Sequence, residues 1–159
     1  MIGDAIRGAI AGAAATWAMD KVTTAMYEVQ PAEVTEREAA ARPNGKSSVS
    51  NLVDKVEAQT GITVPPARRS LVENAVHYAL GVAPGAVYGV LRRRVPFARA
   101  GRGLIYGVVL FLVNDEYANT RLGLAGPVDA YPPETHLRGF AGHAVLGVAT
   151  ETGIEILGG

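Results

Sequence analysis

Apolar residues run in four long blocks along the chain, and the polar residues collect between and at the ends of them. The blocks predict helices over Gly3–Tyr27, Arg68–Leu91, Gly103–Asn119 and Leu137–Leu157. The segment between Pro31 and Pro66 is polar and carries its own helical signals. Ala32–Arg42 reads as a short helix stopped by Pro43-Asn44-Gly45, a turn sequence. Ser48 or Ser50 supplies an N-cap for a second helix through Gln59, with Val49, Leu52, Val53 and Val56 on one face and Gly61 at its end. This insert is an amphipathic helical hairpin. A Gly- and Pro-rich stretch, Thr120–Thr135, reads as an ordered cap.

Within the blocks, glycines line helix faces, in the second helix at every fourth residue. Gly81, Gly85 and Gly89 fall on one face of the second helix, Gly8 and Gly12 on the first, and Gly139, Gly142 and Gly147 on the fourth. Bare backbone along a helix face admits a close neighbour, which is how helices associate in lipid, where burying apolar surface gains nothing. Arg92, Arg93, Arg94, Arg99 and Arg102 crowd the loop between the second and third helices. These features predict an all-α polytopic four-helix transmembrane bundle, one domain over residues 1–159, with the 31–66 hairpin outside the bilayer. The positive-inside rule makes the arginine loop cytoplasmic, and four spans then place both termini there too. The N-terminal block resembles a signal peptide but is read as the first span. The implied location is a bacterial inner membrane. The implied partners are the lipid bilayer and either a second copy, packed through glycine faces, or a larger membrane complex. Against this, no apolar run reaches 18 residues uninterrupted, and the alternative is a soluble α-helical domain.

Composition narrows the chemistry. The 159 residues hold 15 Lys and Arg against 15 Asp and Glu, so there is no basic footprint for nucleic acid. The absence of cysteine removes disulfides, iron–sulfur clusters and thiol nucleophiles. No Gly-x-Ser-x-Gly elbow or HExxH motif is present, so no enzyme class is favoured. Four antiparallel helices deliver their ionisable groups to one end: Asp20 and Lys21; Glu73, Asn74 and His77; Asn114, Asp115 and Glu116; His136, Arg138 and His143. His77, His143, Asp115, Glu116 and Asp20 are the candidate site. Two imidazoles with carboxylates suit a divalent transition metal. His77 and His143 on separate helices also suit haem, and the same groups suit a proton path. The other reading is structural: a hydrogen-bonded network fixing helix register, with Asp115 paired to Arg138 or His143. The chain then serves as a structural or accessory subunit.

From His77 to about residue 155 the order of motifs resembles the YagU-like inner-membrane proteins, a family of unknown function. The resemblance rests on His77 opening a glycine-rich span, the Tyr88-Gly89 pair, the proline and basic loop, the GLAGP turn and Pro132-Pro133-Glu134. It ends with GFAGHAVLG and a late Glu151. It implies an integral membrane protein and directs attention to His77 and His143; it supplies no mechanism.

Overall fold

The computed structural model describes residues 1–159 and is entirely helical. Helix α1 spans Ile2–Glu28, α2 Ala32–Ala41, α3 Ser48–Thr60 and α4 Arg69–Leu91. The next helix starts as α5 at Leu104–Leu110, widens to a π-helix over Phe111–Ala118 and closes with α6, Asn119–Arg121. Helix α7 spans Pro133–Ile156.

The four predicted blocks are the four long elements, and the polar insert is the predicted hairpin. Asn44 and Gly45 both adopt left-handed backbone in the predicted turn. The N-cap of α3 is Ser47 rather than Ser48 or Ser50: its hydroxyl accepts from the Ser50 amide at 3.2 Å. Gly61 ends α3 with φ of 72°, the left-handed conformation that glycine adopts without a Cβ clash.

Helix α1 is the axis. It packs along its length against α4 on one side and α7 on the other, and α7 in turn packs against α5. The glycine faces make these approaches possible. A Cβ at Gly12 would lie 2.6 Å from the Gly81 carbonyl oxygen, and one at Gly85 would lie 2.6 Å from that of Gly8. Between α5 and α7, a Cβ at Gly147 would meet the Gly107 amide nitrogen at 2.7 Å. The backbones touch, so the interior holds few bulky side chains: Ala11, Ala15, Tyr88, Phe111, Leu146 and Ile154 are the buried apolar residues of the four long elements. Buried Thr16 and Thr150 satisfy their hydroxyls on the carbonyls of Gly12 and Leu146, one turn back. The predicted glycine faces are thus occupied inside one chain.

The membrane-spanning architecture is not what the structure supports. No helix is long and apolar enough to cross a membrane. Each long helix is broken by charge: Asp20 and Lys21 in α1, Glu73 in α4, Asp115 and Glu116 in the π-helical segment, Arg138 and Glu151 in α7. The glycines that let helices touch also dilute the apolar stretches between these charges. The four-span topology, the transmembrane and inner-membrane assignments and the cytoplasmic termini are overturned with it. The structure fits the α-helical domain better.

The loop after α6 is held at many points. Asn51 of α3 donates to the Leu124 carbonyl at 3.0 Å, Lys55 to that of Leu122 at 2.7 Å, and the Gly126 amide to the Tyr131 hydroxyl at 3.1 Å. Leu124, in the loop itself, is buried. Hairpin and loop together roof one end of the bundle.

Candidate functional site

Under that roof lies a polar cavity of about 180 Å³. Its walls come from α2, the start of α3, the π-helical segment, the roofing loop and the first turns of α7, with Asp115, Glu116, His136, Phe111, Tyr131 and Thr135 among them. The π-helix places two of these. Its bonds run from residue i+5 to i, as from the Asn119 amide to the Asn114 carbonyl. The extra residue per hydrogen-bonded ring widens the turn on which Asp115 and Glu116 sit, a distortion common at functional sites.

Carboxylates and imidazoles of the predicted cluster come together as pairs. His77 Nε2 lies 2.8 Å from Asp20 Oδ1, joining α4 to α1. Glu116 Oε1 lies 2.7 Å from His136 Nδ1, and His136 Nε2 donates to the Val128 carbonyl at 3.1 Å. His143 Nδ1 donates to the Gly139 carbonyl at 3.0 Å, with Asp115 Oδ2 at 3.6 Å, beyond hydrogen-bond reach. No group of three or more His, Cys, Asp or Glu side chains is placed to hold a metal ion. Of the five candidate residues, Asp115 and Glu116 line the cavity; Asp20, His77 and His143 do not. His136, which sequence reasoning noted but left out of the cluster, is the imidazole that does.

Arg138 does not pair with Asp115. It turns to Glu38 of the hairpin, donating at 2.7 Å to both carboxylate oxygens, and Arg42 and Thr135 complete the shell. Glu38 is 2% exposed. Burial works against its charge, but the Arg138 and Arg42 hydrogen bonds outweigh it and hold the carboxyl below the usual range.

Asp115 has no such shell. Gly139 leaves the space it occupies: a Cβ there would sit 2.9 Å from Phe111 and 3.4 Å from Asp115 Oδ2. Burial pushes the Asp115 carboxyl up; His143 draws it back and Glu116 raises it further. Its side chain keeps 37% exposure and lines the cavity.

The opposite end holds a second ionic centre that sequence reasoning did not foresee. Glu151 is 1% exposed and Arg92 3%. Tyr88 donates to Glu151 Oε2 at 2.6 Å, Arg92 Nε to the same oxygen at 2.7 Å, and Arg99 Nε to Oε1 at 2.9 Å. Burial opposes ionisation of Glu151, yet Arg92, Tyr88 and Arg99 hold its carboxyl down at about 2. Arg92, taken from sequence as a topology marker, is an interior residue. The signal available was the late Glu151 of α7.

No family model matches the chain, no curated protein matches it, and no solved structure matches it.

Proposed function

We infer that the chain is a binding protein for a small organic cation, held in the roofed cavity with Asp115 as counter-ion. The observation that carries this is the contrast between two buried acids and one half-buried acid that opens on the cavity. Glu38 and Glu151 are each sheathed in arginine, while Asp115 lines the cavity with no hydrogen-bond donor. A carboxylate that burial disfavours gains most from an arriving positive charge. The size supports a ligand of benzene scale, since a cavity of about 150 Å³ takes benzene. Phe111 and Tyr131 offer apolar and cation–π contact to an amine or its methylenes. Glu116, fixed by His136, stands as a second acceptor.

The test is calorimetric titration with 1,4-diaminobutane and with ethanolamine at neutral pH. Saturable one-to-one binding is expected, weakened at least tenfold in Asp115→Asn and in Gly139→Val, whose side chain enters the space of Phe111 and Asp115. Equal binding by wild type and Asp115→Asn would defeat the proposal. The competing reading is the packing network, favoured by the Asp20–His77 and Glu116–His136 pairs, each joining two elements. It predicts no binding, and loss of thermal stability in His77→Ala.

A further inference from the structure

We propose a second, separate site: a groove between α4 and α5 that takes the tail of a single-chain anionic amphiphile, its head resting on the arginine loop. The first observation is the groove. Helices α4 and α5 follow one another in sequence but are not packed together; α4 rests on α1 and α5 on α7. The Tyr88–Tyr106 stack, centroids 4.2 Å apart, bridges them. Beside the stack opens a cavity of about 630 Å³, walled by such residues as Ala83, Val87, Leu91, Phe97, Ile105 and Val109, and almost devoid of polar surface. Val87, Phe97 and Val109 are 57%, 70% and 50% exposed, so these walls are open.

The second observation is charge. The turn that supplies Leu91, Val95 and Phe97 to the groove alternates with residues facing a second cavity, of about 520 Å³: Arg92, Arg93, Pro96 and Arg99, joined by Arg102. That cavity is lined by four arginines against two glutamates, Glu151 and Glu155, with Asp4 reaching Arg93 from outside it at 3.3 Å, so positive charge remains in excess. Arg94 adjoins it without any carboxylate partner, its guanidinium reaching only the Met1 sulfur. Tyr88 lines the groove and donates its hydroxyl to Glu151, a lining residue of the second cavity. Apolar trough and cationic end therefore share one turn of chain. Water-soluble anions lack the tail for the trough, and neutral alkanes lack the head for guanidinium forks.

The experiment is calorimetry with decyl phosphate below its aggregation concentration, alongside inorganic phosphate, decanol and vesicles of phosphatidylglycerol. Decyl phosphate is expected to bind one-to-one, at least tenfold more tightly than phosphate or decanol. Val109→Trp, which fills the trough, and the double variant Arg93→Gln/Arg102→Gln, which trims the cationic end, should each weaken binding about tenfold. Circular dichroism checks that both keep the wild-type helix content; if Val109→Trp does not fold, Ala83→Phe takes its place. Equal affinity for decanol, unchanged affinity in the groove variant, or binding confined to vesicles would each overturn the proposal. Diamine titration of the same variants keeps this result apart from the roofed cavity: the trough lies at a different place, and its variants leave Asp115 untouched.

Discussion

Two acids on neighbouring elements, Glu151 at one end of the bundle and Asp115 at the other, meet opposite fates. Glu151 is fully out of bulk water and Asp115 partly so, which raises the cost of each charge. Glu151 is met by two guanidinium groups and a phenol, and stays ionised far into acid. Asp115 is met by an imidazole out of hydrogen-bonding reach and by a like-charged neighbour. The comparison teaches that burial alone does not decide what a carboxylate is for. A sheathed one belongs to the scaffold; a bare one, opening on a cavity, is free to answer to something outside the chain.

The largest test of this contrast is Glu151→Gln. It leaves Arg92 buried without its counter-charge, and removing one partner of such a pair costs roughly 3–5 kcal/mol. Urea unfolding should show the loss; a change below about 1 kcal/mol would place Glu151 among incidental surface pairs. Next comes Gly85→Ala, which touches neither acid. Its Cβ would lie 2.6 Å from the Gly8 oxygen, on backbone that cannot swing aside. Overpacking of this kind costs about 1–3 kcal/mol. The acid response of each end should be unchanged, so a shifted pH profile in this variant would show the two ends to be coupled through α1.

The pH dependence sharpens the comparison, because the two acids contribute with opposite sign. The folded Glu151 carboxyl is depressed from 4.5 to about 2. Its contribution is present above the unfolded value and is lost as pH falls from about 4.5 towards 2, roughly 3 kcal/mol in all. Asp115 is raised, so its cost is present above its folded value and is relieved as pH falls towards 3.8. Glu151→Gln should therefore flatten the acid side of the stability curve, and Asp115→Asn should steepen it. The smallest expected effect follows: at neutral pH, Asp115→Asn should slightly stabilise the empty protein in urea unfolding, by less than either change above, because water reaches the exposed part of the side chain. A clear destabilisation there would return Asp115 to the scaffold.

Much of the fold was legible because its signals are local. Helix ends at Gly61 and Pro43, the hairpin between Pro31 and Pro66, and glycines at intervals of four all act through residues within a turn of one another. The bilayer reading erred over a property those signals do not carry. Glycine faces bring backbones together with or without lipid, and the charges at Asp20, Glu73, Asp115 and Glu151 already interrupted every block. The site was half legible. Sequence reasoning placed the ionisable groups at a common end; the structure pairs Asp20 with His77 and Glu116 with His136, but the sequence could not show partners chosen across the fold. Arg138 goes to Glu38, 100 residues away, and Arg92 to Glu151, 59 residues away. Nothing in an arginine run distinguishes the member that turns inward. The π-helical widening at Phe111–Ala118 had no compositional mark at all.

The place of α1 between α4 and α7 has a consequence for how the chain assembles. The contacts that close the interior join Ile2–Glu28 to Pro133–Ile156, almost the whole length of the sequence apart. Distant pairings pay loop-closure entropy before any reward, so this helical protein should fold more slowly than a bundle of successive hairpins. A ribosome must release the last helix before the first has both its neighbours. Hydrogen exchange on residues 1–132 alone would show this directly: the α1 amides should be protected far less than in the full chain, and equal protection would mean that the α1–α4 glycine contact is a nucleus in its own right.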